Sequence, residues 1–166
     1  MAGGGNFRRG RFIPKNPQKY VGDVNKIIFR SSWEESFLRR LDQNPAVIQY
    51  ASEEIAIQYF SPLDNKMHRY FPDFIVRYQN PNGTISTEII EIKPYQQAVV
   101  SERMSDRDKQ ALIVNDAKWK AAAAFAEKNG ATFRVITEKT LFKQGPAKPA
   151  RKTKAKMPKL AKGAKK

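Results

Sequence analysis

Apolar residues recur along this chain in two periods, and the change from one to the other marks out its elements. Between Ser32 and Gln43, Trp33, Phe37, Leu38 and Leu41 share one arc at the roughly 100° step of an α-helix, and serines stand at its start. This reading puts Glu34 inside the apolar arc, and Glu35, Arg39 and Asp42 on the solvent side. Further on, runs of Ile, Val, Phe and Tyr predict strands over 54–59, 69–78 and 84–93. A helical stretch over 105–129 ends at Lys128-Asn129-Gly130, and a strand follows over 132–137. Trp119, Ala122, Ala123 and Phe125 are expected to pack that helix on the sheet, with Lys118 and Lys120 turned to solvent or DNA. A crossover helix between two strands of one sheet implies parallel pairing. The pattern is that of an α/β chain, a mixed sheet flanked by helices. The stretch 94–104 has no period and reads as a mobile loop.

Two predicted strands carry charge where a core is expected. The segments Phe71-Pro72-Asp73-Phe74 and Ile90-Glu91-Ile92-Lys93 are joined through Pro81-Asn82-Gly83, which reads as a three-residue hairpin loop with Gly83 left-handed. Such a loop pairs Asn80 with Thr84, and Asp73 then lies opposite Glu91. Side chains alternate along a strand, so Glu91 and Lys93 share that face. A two-residue Asn82-Gly83 turn would shift the register by one and separate the carboxylates. Buried charge is costly unless it is paired or holds a metal. Two neighbouring carboxylates suit Mg²⁺ (Mn²⁺ is the alternative), a hard cation that polarises phosphate and acidifies bound water. A lysine beside them can orient that water or offset charge on the phosphate. The plainer reading is a surface hairpin with a cross-strand ion pair.

The helix before the hairpin offers a third acid. Capping boxes joining Ser31 to Glu34 and Ser32 to Glu35 account for both glutamates. A cap does not require an acid on the apolar face, however, and this favours Glu34 as an additional metal ligand or water-positioning group.

An acid on an early helix, then Asp, then Glu-x-Lys on a hairpin is the order of the PD-(D/E)xK nucleases. Beyond that motif the sequence resembles the head completion nucleases of T-even-type tailed phages, relatives of the TnsA transposon endonuclease. The resemblance rests on Arg30-Ser31-Ser32-Trp33-Glu34, Leu41-Asp42-Gln43-Asn44-Pro45, Arg69-Tyr70-Phe71, Glu91-Ile92-Lys93-Pro94 and Asn115-Asp116-Ala117-Lys118-Trp119, among other stretches between Arg11 and Phe142. It implies a restriction-endonuclease-like fold and a Mg²⁺-dependent endonuclease acting on double-stranded DNA. Asp73 and Glu91 would bind the metal, Glu34 would assist them, Lys93 would act on the water, and Gln96 is a weaker neighbour. It further implies work on packaged DNA at the portal end during head maturation, in the host cytoplasm and in the virion. Portal, neck or other head completion proteins are the implied partners. A structural head-closure component with a vestigial site, and a TnsA-like transposon endonuclease subunit, are the alternatives.

Charge adds a division of the chain. The formal net charge is +15, yet residues 21–143 hold 17 basic and 16 acidic side chains. The excess lies in the first 20 residues, with five Arg or Lys and no acid, and in residues 144–166, with nine and none. The expected organisation is a basic arm over 1–20, of which Met1–Gly10 is flexible, a nuclease-like domain over 21–143 and a disordered basic tail over 144–166. Such a tail buries too little apolar surface to fold alone and reads as a tether on DNA phosphates, a solubilising segment or a contact with an acidic protein surface. The chain has no cysteine and a single histidine, His68, so thiolate zinc sites and His-built metal sites are excluded. No apolar run approaches membrane length.

Overall fold

The computed structural model describes residues 8–141. The tail over 144–166 and most of the expected flexible start lie outside them. In chain order the strands are β1 (Gly10–Arg11), β2 (Ile28–Phe29), β3 (Val47–Ser52), β4 (Ile57–Ser61), β5 (Lys66–Tyr70), β6 (Phe74–Gln79), β7 (Ile85–Ile92) and β8 (Thr132–Ile136). The helices are α1 (Ser32–Gln43), α2 (Tyr95–Ala98), α3 (Asp106–Lys128) and α4 (Glu138–Leu141). The main sheet has the order β3-β6-β7-β8, with β7 and β8 parallel and the other pairs antiparallel. This is the expected mixed α/β architecture, with α3 as the crossover.

The central hairpin forms in the register that a three-residue loop requires. Phe74 faces Ile90 and Gln79 faces Ile85. The Asn80 amide donates to the Thr84 carbonyl at 2.8 Å, and Gly83 takes a φ of 85° that suits a residue without a Cβ.

The strand expected over 69–78 is two strands. Pro72 has no N–H to give to a ladder, so pairing cannot run through it. The chain changes partners at Phe71–Asp73: β5 pairs with β4, and β6 pairs with β3 and β7. The opposite limb turns at the same level, where β3 ends and Glu53 adopts a left-handed φ of 53° and donates its amide to the Asp73 carbonyl at 3.1 Å. The two limbs form one long hairpin, bent at this corner into a sheet half and a β4–β5 ribbon. The strand expected over 54–59 begins at Ile57 because residues before it make the corner. Strand β3, which the apolar pattern left unmarked, carries a bulge near Ile48 that breaks its alternation. The stretch read as a mobile loop starts as the short helix α2, whose first amide (Tyr95) donates to Glu138 at 2.7 Å.

Core side chains cover both faces of the sheet. On one face α1, α4 and the N-terminal segment bury Ile27, Phe29, Phe37, Leu38 and Leu41 against Val47, Tyr50, Phe74, Val76, Ile90 and Ile92. On the other, α3 and the ribbon enclose Ile57, Tyr59, Tyr70 and Ala122, joined by Phe125 and Phe133. Ala123, expected at this contact, is exposed, whereas Ala126, one turn after Ala122, is buried.

Asp42, read as a solvent-side residue, is 1% exposed. The segment ahead of the first helix wraps over it. Its carboxylate accepts from the Lys15 amide at 2.9 Å, the Asn16 amide at 3.1 Å and the Tyr50 hydroxyl at 3.1 Å. Lys19 Nζ donates to the carbonyls of Asp42 and Asn44 at the same helix end, where a cation meets the negative pole of the helix. Replacing Asp42 by Ala strands several partly buried donors at once, and Asp42→Ala is expected to lose about 2–4 kcal/mol of unfolding free energy in urea titrations.

Candidate active site

Asp73 follows directly from the corner, one step beyond the Phe74–Ile90 pair, and this brings it to Glu91 as the register requires. Its Oδ2 accepts the amide of Ile92 at 2.7 Å. Glu91 is 4% exposed. The Tyr70 hydroxyl donates to its Oε2 at 2.7 Å, and Lys93 Nζ lies 3.0 Å from its Oε1. Lys93 is itself fixed through its amide, which donates to the Ile136 carbonyl of β8 at 2.9 Å. Two carboxylates and an ammonium therefore meet where the bent hairpin, β7 and β8 adjoin.

Glu34 reaches the edge of this patch from the first turn of α1. It is close enough for its charge to act on both Asp73 and Lys93. It also caps the helix. Ser31 Oγ accepts the Glu34 amide at 3.1 Å, while the Glu34 carboxylate accepts from Ser31 Oγ at 3.1 Å and from the Arg30 amide at 2.7 Å. Capping the helix and lying within reach of the acid pair are therefore compatible in Glu34. Glu35 makes no box with Ser32. It is half-buried between Arg39, at 3.0 Å, and Arg8, at 3.6 Å.

The other candidates separate. Gln96 is exposed on α2 and lines a small cleft of about 360 Å³ against α3 with Arg107, Asp108 and Asn115. His68 stacks on Tyr59 in the ribbon and bonds Asp64 at 2.7 Å. Lys120 faces solvent and pairs with Asp116 at 2.7 Å, as expected. Lys118 does not face away. It is half-buried on the packed side of α3, with Nζ 5.6 Å from the Tyr59 ring centre and 5.7 Å from that of Tyr70. The helical period contained this signal, since Lys118 lies one turn before Ala122 on the arc that meets the ribbon.

Burial is the leading influence on the ionisable groups here, and their mutual charges come second. Burial, then the Glu91 carboxylate, push the Asp73 carboxyl up to about 8, against the pull of the Ile92 amide. Burial opposes the charge on Lys93, but Glu91, Asp73 and Glu34 together raise its pKa. Lys118 moves the other way, lowered by burial and by Lys93. Burial and Glu91 keep the Tyr70 phenol neutral as a donor. Among the described residues no three acidic or histidine side chains converge at metal-ligand spacing. Asp73 Oδ2 and both Glu91 carboxylate oxygens are engaged by protein donors. Asp73 and Glu91 are the hard-oxygen side chains here that could serve as ligands to a divalent cation.

Residues 44–138 match the family model described as TnsA-like endonuclease N terminal. The chain is also 37% identical over 139 residues to the head completion nuclease of Enterobacteria phage T4, an alignment covering 78% of this chain and 90% of that protein. The chain belongs to the TnsA-like endonuclease family. Asp73, Glu91, Lys93 and Lys118 all lie within the matched segment, whereas Glu34 precedes it.

The raised pKa of Asp73 has a consequence for the metal-free protein. Folded, Asp73 keeps its proton to about pH 8, whereas an unfolded aspartate releases it near 3.8. Between these limits the folded state binds more protons, so its stability falls as pH rises. Melting in chelator from pH 5 to 9 is expected to show this decline, and Asp73→Asn is expected to flatten it.

Proposed function

We propose that this chain is a Mg²⁺-dependent endonuclease that hydrolyses duplex DNA in the completion of a phage head. The observation that carries the reading is the hairpin register, which collects Asp73, Glu91 and Lys93 at one point. The TnsA-like family match and the similarity to a head completion nuclease support it. In the reaction an oxygen of water bonds to phosphorus as the bond from phosphorus to the leaving deoxyribose oxygen breaks. One water proton is released and one ends on the leaving oxygen.

Asp73 and Glu91 would hold the metal ion, with Glu34 assisting at the rim. The ion supplies Lewis-acid polarisation of the phosphate and a lower pKa for water. Lys93 keeps its proton in this setting, so its part is to orient the attacking water and to offset charge on the phosphate rather than to abstract a proton. The Tyr70 hydroxyl and the Ile92 amide hold the two carboxylates in place before substrate arrives. Corner and site are thus one construction.

The decisive assay is cleavage of linear duplex DNA with and without Mg²⁺. Asp73→Ala and Glu91→Ala are each expected to abolish cleavage while the fold survives, and Lys93→Ala is expected to leave a small residue. Full activity of Asp73→Ala would sink the assignment. The adjacent glutamates should part company in the same assay. Glu34→Gln is expected to slow cleavage strongly. Glu35→Gln is expected to leave it near normal and to cost at most about 1 kcal/mol through weakened pairs with Arg39 and Arg8.

A further inference from the structure

Lys118 interrupts an apolar surface. Around it on α3, Val114, Ala117, Ala121, Ala122 and Phe125 pack against the ribbon, and an apolar side chain at 118 would do so without taking a charge out of water. Its ammonium instead stands against the rings of Tyr59 and Tyr70. Tyr70 is the residue that donates to Glu91, so one ring separates this cation from the acid pair. Lys118 is also within electrostatic range of both Glu91 and Lys93.

The two lysines differ in what they touch. Lys93 is engaged with Glu91 at 3.0 Å, whereas Lys118 forms no ion pair among the described residues. The tyrosine faces repay part of the desolvation through their ring electrons. They carry no charge to complete it, since burial keeps both phenols protonated. What would complete the site is an anion arriving between α3 and the ribbon, beside the carboxylates. A DNA phosphate has that chemistry, and a fixed ammonium there can neutralise the charge that builds on its oxygens.

We propose that Lys118 is a second catalytic cation, which contacts a non-bridging oxygen of the phosphate undergoing cleavage. The contact rests on the endonuclease reading and deepens it: Lys93 orients the water and offsets part of the charge, and Lys118 adds a direct contact to the phosphate. It donates a hydrogen bond throughout and transfers no proton. The corner at Pro72 makes this possible, because it sets Tyr70 in the ribbon and Asp73 in the sheet on opposite sides of one turn.

Lys118→Met keeps the length and the ring contacts and removes the charge, and Lys118→Arg keeps the charge. Single-turnover cleavage at saturating duplex and Mg²⁺ is expected to slow about 100-fold in Lys118→Met and to recover at least tenfold of that in Lys118→Arg. Mn²⁺ affinity by calorimetry and the melting temperature should not fall below their wild-type values. Duplex binding in chelator is expected to show a slope of log affinity against log salt that is shallower by about 0.9 in Lys118→Met, the loss of one phosphate contact. A Lys118→Met rate within threefold of wild type overturns the proposal. So does a rate loss that follows a fall in melting temperature and is not rescued by Arg, since that marks Lys118 as packing between helix and ribbon. If the wild type fails to cleave with any divalent ion, the endonuclease reading fails separately. The salt slope then decides the phosphate contact, and an unchanged slope rejects it.

Discussion

Two carboxylates, Asp73 and Glu91, are brought together in a part of the molecule where water is scarce. Left alone, they would repel each other and resist burial. The Ile92 amide and the Tyr70 hydroxyl hold them there as donors and Lys93 as counter-charge, while Glu34 at the rim adds negative charge that works against them. Burial first, and the neighbouring Glu91 charge second, are expressed in the raised pKa of Asp73. A site arranged in this way loses stability as pH rises through the range where folded Asp73 gives up its proton.

The backbone feature that permits the arrangement is the corner in the long hairpin. A flat four-stranded extension would have carried Tyr70 and Asp73 along one ladder, on different faces. Pro72 stops the ladder, and Glu53 turns left-handed on the partner limb. The ribbon can then lie under α3 while the sheet half packs beneath α1. Local strain at Glu53 is small beside the two hydrophobic clusters that the bend creates, one on each face.

Asp42 does for the fold what the acid pair does for the site. It is buried and satisfied by donors that come from the N-terminal segment and from β3. Through it the segment over 14–19 closes the C-terminal end of α1. This fixes the helix over the sheet, and with it the position of Glu34 at the helix start.

Short-range chemistry determined a good part of this protein. The α1 and α3 boundaries follow from caps and period, and the loop Pro81-Asn82-Gly83 by itself set the register that aligns Asp73 with Glu91, because loop length and a left-handed glycine dictate hairpin pairing. Glu34, Asp73, Glu91 and Lys93 were legible as candidates because charge in an apolar pattern is conspicuous. The tertiary structure decided what depends on partners distant in sequence. Asp42 looked solvent-facing on its helix and became buried because the chain's start folds over it. The run over 69–78 had the composition of one strand, but which ladder each half joins was settled by the competing pairings with β4 and β3. Lys118 had a helical phase that turned it inward, yet its place against the Tyr70 ring, across from Glu91, exists only once α3 has docked on the ribbon. A sequence fixes the identity and local phase of such side chains; which charges share a site is set by packing between elements, because electrostatic and desolvation energies depend on distances that only the assembled fold defines.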